Sequence, residues 1–379
     1  MKVEFYRHNL TEADIAELVE VCRGVFLTTG QSVKHFEELF AAYLGARYSV
    51  GVTSCTAGLH IALLGVGVGS GDEVITTPMT FAATSNTVLY TGATPVFVDV
   101  EPETGLISID AVERAITSKT KAIVPVHLYG QMADMRRLKA IADRTGIALI
   151  EDCAHAIESE RDGVKPGQLS DAASFSFYAT KNITSGEGGA VVTNSEALNT
   201  RLRLLRQHGM SASAADRYTG TYRHWDLELL GWKYNMTNLQ AALLIGQMDR
   251  IGGLWERREA IARRYEEGFR GVDGVTLPIV VPGSKSARHL FTILVDPARR
   301  DDVLSDLQAR GVGVAVNYRA VHLLKYYQDT LALPRGSFPN AERIGDSTVT
   351  LPLYPKLADA EIDYVIESVK ASVGSLHRV

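Results

Sequence analysis

Cysteine is scarce in this chain: three residues, Cys22, Cys55 and Cys153, stand among 379. They have neither the even count nor the spacing of a disulfide framework or a metal site, so free thiols in a reducing compartment are expected. No apolar run reaches the roughly 20 residues that a membrane-spanning helix needs; the stretches at 122–127 and 147–150 are strand-sized. The opening MKVEFYRHNL lacks the apolar core of a signal peptide. Positive charge is not in excess either. The 39 Lys and Arg against 44 Asp and Glu leave a formal charge of −5, which argues against nucleic acid as a partner. A phosphate-binding GxxxxGK[ST] motif is missing. Gly65, Gly67, Gly69 and Gly71 imitate a dinucleotide fingerprint, but they follow a helix and precede a strand, the reverse of the order such a turn requires. A cytoplasmic soluble protein is expected, with no membrane segment and no metal site.

What is present is an ordinary globular composition, 46% apolar and 22% charged, enough for a sizeable core. Residues 11–45 carry apolar positions at helical spacing, interrupted at Thr28-Thr29-Gly30. From Tyr48 onward, strand-like and helix-like segments alternate. Strands are expected at 48–52, 73–76, 94–99, 122–127, 148–151, 173–178 and 189–193, with helices between them such as 108–115 and 132–145. The alternation predicts an α/β fold with one mainly parallel, seven-stranded sheet. The stretch 211–232 is polar, aromatic and irregular, and reads as a long functional loop. A long helix over about 236–269 then joins a large domain, 1–248, to a smaller α+β domain, 249–379. In the smaller unit, strands are expected at 289–295 and 312–317 around a helix at 301–310. A loop follows at 326–340 and a last helix at 359–372.

Chemistry concentrates in a few places. Lys181 sits in a tight Thr, Asn and Ser segment between two strand-like runs, bordered by Gly186, Glu187, Gly188 and Gly189. A lysine there is either an ordinary surface-turn residue or an amine stripped of water, and desolvation lowers its pKa toward nucleophilic use. Asp152 and His155 lie just past the carboxyl end of a strand, where open α/β sheets bind ligands; the acid is either a cap for the next turn or a partner for something basic. The turn SCTAGLHIALL opens a helix with small residues around Thr56 and Ala57, as a phosphate would need, or as a plain capped helix would have. Phe81 either packs in the core or stacks on a planar ring.

Together, an amine, an acid, a phosphate-ready turn and an aromatic match what pyridoxal phosphate requires. The chain resembles the DegT/DnrJ/EryC1/StrS family of sugar aminotransferases, a branch of the fold-type I pyridoxal-phosphate enzymes. The resemblance rests on LTTG, SCTAGLHIALL, GDEVITTPMTFAATSN, GATPVFVDV, VPVHLYGQMADM, IEDCAHA, FSFYATKNITSGEGGAVVT and GWKYNMTNLQAAL, in order from residue 27 to about 243. It implies that Lys181 holds the cofactor as a Schiff base and shuttles the proton. It further implies Asp152 on the ring nitrogen, His155 near the ring, and Ser176 with the Thr56–Ala57 turn on the phosphate. Phe81 would stack on the ring, and Asn235 would reach the cofactor of a second subunit, making the protein a homodimer with shared sites.

The implied reaction takes an amino group from L-glutamate to a keto group of a nucleoside-diphosphate-linked sugar. The ATKNITSGEGG form, Asn317-Tyr318-Arg319 and His322 resemble members that aminate at C4 rather than C3. Thr29, Tyr178, Arg223, His224, Arg319 and His322 are candidate substrate residues, the arginines and His224 for carboxylate or diphosphate. Cys55 and Tyr178 stand where many members carry Ala, Ser or His. A sugar dehydratase of the same fold is disfavoured, because dehydrating relatives replace the lysine by histidine. A non-catalytic regulator would have lost Lys181, Asp152 or Ser176, and all three are present.

Overall fold

The computed structural model describes residues 1–211 and 224–375. Two helices lead the chain, α1 (Glu12–Arg23) and α2 (Gln31–Leu44). Thr11 and Asp14 form a reciprocal capping box on α1, which satisfies the backbone N–H groups of both residues. Alternating elements follow: β1 (Tyr48–Val52), α3 (Cys55–Gly65), β2 (Glu73–Thr76), α4 (Ala83–Tyr90), β3 (Thr94–Phe97), α5 (Ile109–Ala115), β4 (Thr120–Ile123), α6 (Met135–Thr145) and β5 (Ala148–Asp152). After these come β6 (Glu160–Arg161), β7 (Ala172–Ser176), β8 (Gly189–Thr193) and α7 (Glu196–Leu205).

Seven strands form one sheet in the order β1-β8-β7-β5-β4-β2-β3. The pairs from β7 through β5, β4 and β2 to β3 are parallel, and β8 alone runs antiparallel to both its neighbours. The expected sheet is therefore present, with seven strands and a mainly parallel layout. The strand expected at 122–127 begins earlier, at Thr120, and ends at Ile123. Its remaining residues run on toward the sheet's carboxyl edge and deliver His127, whose backbone N–H donates to the Asp152 carbonyl.

The sheet interior is apolar on both faces, as a sheet covered by helices on both sides must be. On one face Val50, Leu59, Ile61, Val74, Ile150 and Val191 share a core. On another side, Phe36 and Phe40 of α2 meet Phe175 and Phe177 edge-on, with centroids 5.0 to 5.4 Å apart. Each buried ring of this kind contributes about 2 to 3 kcal/mol by leaving water.

Helix α8 (Asn238–Phe269) starts from a second capping box, Thr237 with Gln240, two residues later than the sequence pattern suggested. Its far half enters another core: Ile261, Ala262, Tyr265 and Phe269 pack against Phe291, Ile293, Leu307 and Val349, and Val3 from the amino end joins them. The remaining elements are β9 (Ser284–Lys285), β10 (Phe291–Leu294), α9 (Arg300–Ala309), α10 (Lys325–Leu331), α11 (Pro339–Ser347), β11 (Thr348–Leu351) and α12 (Asp359–Ser375). Two expectations fail here, and a third is not tested. Residues 312–317 form no strand, only isolated bridges such as Ala315 to Thr350; the partner of β10 is β11, which sequence pattern missed. The expected loop at 326–340 holds most of α10 and the start of α11, whose Pro339 sits in the first turn, where its missing N–H costs nothing. The loop expected at 211–232 lies largely outside the described residues.

Candidate active site

The carboxyl ends of β2, β5 and β7 and the first turn of α3 surround a cavity of about 550 Å³, within the range of small-molecule sites. Ser54, Cys55, Thr56, Phe81, Asp152, His155, Ser176, Tyr178 and Lys181 all lie on its wall. Residues 125 positions apart in the chain, from Thr56 to Lys181, thus converge on one space.

Asp152 is the last residue of β5 and is 5% exposed. Thr84 Oγ1 donates to its Oδ2 at 2.7 Å, and the Ala154 N–H donates to its Oδ1 at 3.1 Å. Since Thr84 spends its hydrogen on the carboxylate, the 2.7 Å contact between Thr80 and Thr84 has Thr80 as donor. The acid is therefore held by a two-hydroxyl chain and leaves acceptor capacity for a ligand.

Lys181 ends the turn after Phe177, its N–H bonded to the Tyr178 carbonyl. Burial pulls its amine down to about 8, against the opposing influence of Cys55 and Asp152. Loss of hydration outweighs attraction to the carboxylate, so a neutral amine is accessible near physiological pH. His155 donates or accepts with the Tyr318 hydroxyl at 3.0 Å, while its buried Nδ1 has no hydrogen-bond partner among the described residues. Burial, with the Lys181 charge adding to it, keeps the His155 ring well below the usual histidine range and so neutral.

On the other side, Ser54 caps α3 by accepting the Ala57 N–H at 3.1 Å. Gly189 lets the start of this helix approach β8: a Cβ there would lie 2.5 Å from the Ser54 carbonyl carbon and 2.6 Å from the Cys55 nitrogen. Ser176, 7% exposed, stands beside that helix end and accepts the Tyr178 N–H at 3.3 Å. A helix amino end flanked by hydroxyls suits an anion. Phe81 is 60% exposed rather than in the core, and its ring centroid lies 5.7 Å from that of Tyr318.

The other sequence candidates lie elsewhere. Ala57 is buried behind the wall. Asn235 donates to Thr29 at 2.7 Å, and Thr29 in turn donates to the Met236 carbonyl; this pair sits outside the cavity, with Thr29 on the wall of a separate one. Arg319 and His224 are exposed, and Arg223 lies outside the described residues. His322 is fully buried and bonded to Glu342 at 3.0 Å, so its ring does not reach the cavity.

Several wall residues escaped sequence reasoning: Thr80, Glu187 and His289, with Thr84 just behind; Asn317 and Tyr318, named for the C4 resemblance, do line the cavity. Thr80 and Thr84 frame Phe81 in the TPMTFAAT stretch, but nothing local singles out a threonine as a carboxylate donor. His289 arrives from the carboxyl-terminal third, where strand-like pattern was the main signal.

A buried trio, His127, Glu151 and Cys153, has its ligand atoms within 4.8 Å of one another. His127 Nδ1 accepts the Ala133 N–H at 3.2 Å, so Nε2 carries the hydrogen and donates to Glu151 at 2.6 Å. Glu151 also accepts from the Gly167 N–H and from Ser170. With both ring nitrogens engaged, the trio is a satisfied polar core rather than an open ligand set.

The profile of the DegT/DnrJ/EryC1/StrS aminotransferase family matches residues 8–370. The spore coat polysaccharide biosynthesis protein SpsC of Bacillus subtilis is 41% identical over 364 residues, 94% of this chain and 93% of its own. Among solved structures, DesV of S. venezuelae, in complex with a ketimine intermediate, aligns with a TM-score of 0.88 at 36% identity, covering 97% of this chain and 95% of its own. The PLP form of the candidate sugar aminotransferase Spr1654 from Streptococcus pneumoniae aligns at 0.92 and 31% identity, covering 99% of this chain and all of its own. The donor set on the cavity wall fits that cofactor: an amine, a held carboxylate, an unpartnered histidine nitrogen and a hydroxyl-lined helix end. Sequence, fold and cavity agree over nearly the whole length, and this chain belongs to the DegT/DnrJ/EryC1/StrS aminotransferase family as a pyridoxal-phosphate-dependent sugar aminotransferase of fold type I.

Proposed function

We propose that the enzyme moves an amino group from L-glutamate to the C4 keto group of a nucleoside-diphosphate-linked sugar, in the cytoplasm and as a homodimer. The observation that carries the chemistry is the placement of Lys181, with its amine lowered to about 8, on one cavity wall with Asp152. Bound there, pyridoxal phosphate supplies an electron sink for charge developing at the substrate carbon. In this reading Lys181 anchors the cofactor and moves the proton. Asp152 would hold the ring nitrogen, Ser176 and the Thr56 turn would hold the phosphate, and Phe81 and His155 would hold the ring. A neutral lysine can take a proton and return it, which a lysine fixed as a cation could not.

The C4 preference rests on the ATKNITSGEGG segment and on Asn317 and Tyr318, which line the cavity. His322, part of the same sequence argument, acts at most through its bond to Glu342. The dimer is supported by a shortage of charge. Among the described residues on the cavity wall, Lys181 is the one lysine or arginine, whereas the proposed substrates carry a diphosphate and carboxylates. A second copy offering Asn235 is the proposed source of further contacts, and Arg223, a candidate for carboxylate or diphosphate, lies outside the described residues. Free thiols at Cys22, Cys55 and Cys153 support the cytoplasmic assignment.

The test is incubation of the purified protein with glutamate and a panel of 3-keto and 4-keto nucleotide sugars, with NMR to locate the new amine. Amination at C4 is expected, and amination at C3 alone overturns the regiochemistry. For the dimer, mixing Lys181→Ala with Asn235→Ala protein should restore part of the activity that each lacks; a mixture as inactive as its components removes the shared site.

A further inference from the structure

His289 touches the amine that the proposed chemistry depends on. Its Nε2 lies 3.4 Å from Lys181 Nζ, the ring is 3% exposed, and its centroid is 4.8 Å from that of His155, edge to face. A protonated lysine offers three donors and no acceptor. The contact therefore has Nε2 accepting, with the ring hydrogen on Nδ1.

The ring is placed by a segment that is itself pinned from several sides. Residues Ser284–Lys285 pair with Glu160–Arg161. The Ala287 N–H donates to the Gly130 carbonyl at 2.9 Å, and the Ala287 carbonyl accepts from Asn182, the residue next to Lys181, at 2.8 Å. Asn182 also donates to the buried Glu158 at 2.8 Å. From α8, Trp255 donates to the Ser286 carbonyl at 2.7 Å, and Glu259 and Glu266 hold Arg288. Gly130 adopts φ +82°, and a Cβ there would lie 3.0 to 3.1 Å from the nitrogens of Ala287, Arg288 and His289. Three backbone amides thus pass over a residue that must be glycine.

We propose that His289 is a positioning residue for Lys181: Nε2 accepts from the amine and fixes where it points, and the Gly130–Asn182 clamp on residues 284–289 sets that contact. The proposal rests on the reading of Lys181 as the reactive amine. The ionisable groups facing the pair are Cys55 and Asp152 beside Lys181, and His155 and Arg258 beside His289. Burial and the cations Lys181 and Arg258 keep His289 uncharged, so it serves as an acceptor and takes no proton of its own.

The experiment reads Lys181 directly in the full-length protein freed of cofactor. Acetic anhydride labelling at a series of pH values, followed by mass spectrometry of the peptide carrying Lys181, gives the midpoint of its titration. The wild-type midpoint is expected near 8. His289→Phe keeps ring bulk but removes the acceptor of the charged form, so the midpoint falls by about one pH unit, a tenfold change in the neutral fraction. His289→Gln, which keeps an acceptor, restores most of it. Gly130→Ala, with His289 intact, shifts it in the same direction as His289→Phe. An unmoved or raised midpoint in His289→Phe, or no recovery in His289→Gln, overturns the proposal. Yellow colour on adding pyridoxal phosphate to the wild type and the His289 variants separates the two readings. A wild type that takes up none defeats the assignment of Lys181 itself, whereas uptake with an unmoved midpoint defeats only the role of His289.

Discussion

Thr84 Oγ1 donates a 2.7 Å hydrogen bond to Asp152 Oδ2, linking the helix after β2 to the end of β5 across an intervening strand, β4. This bond is what aims the acid. In Thr84→Val the shape is kept and one buried acceptor loses its donor, a cost of about 1 to 3 kcal/mol. Thermal melting should show a lower Tm in the cofactor-free protein, and equilibrium dialysis a roughly tenfold weaker hold on pyridoxal phosphate. Unchanged affinity would show that the cavity orients Asp152 without Thr84.

Lys181 makes stability depend on pH in a defined direction. Its folded pKa is about 8 against an unfolded value of 10.5. Below about 8 both states hold the proton and the folded state bears the full cost of a partly buried cation. Between about 8 and 10.5 the unfolded chain binds more protons, so stability contributed at this site rises with pH. Lys181→Met should therefore be more stable than wild type at pH 7, by roughly 2 to 3 kcal/mol, with the difference closing toward pH 10. Urea titrations of both cofactor-free proteins across that range measure it, and a difference that widens with pH contradicts the sign.

Glu151 answers three donors in the core: His127, the Gly167 N–H and Ser170. Glu151→Ala leaves the buried His127 and Gly167 N–H donors unpaired, and should cost about 3 to 5 kcal/mol. The same geometry predicts that added zinc does not raise the Tm of wild type, because His127 has no lone pair to give. A zinc-dependent rise in Tm that Cys153→Ser abolishes would reverse that assignment.

Gly189 tests the packing of α3 against β8. Alanine there drives a Cβ to 2.5 Å from backbone that cannot move without shifting the cap of α3. Gly189→Ala should lower stability by about 2 kcal/mol or more and weaken cofactor binding as well. Circular dichroism melts with and without pyridoxal phosphate separate the two effects; a variant with normal Tm and normal binding would show that β8 yields.

Much of this was legible in order along the chain. The β-branched runs marked β1, β2 and β8 at their observed bounds, because strand propensity and burial act locally there. Asp152 and Lys181 stood out because they lie at or just past strand ends, and parallel strands bring those ends together on one cavity wall, whereas Ser176 was named only through the family resemblance. Errors clustered in the carboxyl-terminal third. The pairing of β10 with β11 spans more than 50 residues, and the pattern at 312–317 carries alternation without the second neighbour that would make it a strand.

The sheet, the lysine turn and the cofactor class can be read from the chain alone, since these depend on side-chain chemistry at fixed distance from strand ends. What surrounds them follows from the folded arrangement. Thr84 comes to Asp152 from 68 residues away, His289 reaches Lys181 across 108, and His322 is withdrawn into a bond with Glu342. Those contacts depend on how the sheet, α8 and residues 284–292 dock. Docking is settled by the summed packing of surfaces distant in the chain, which no local stretch encodes.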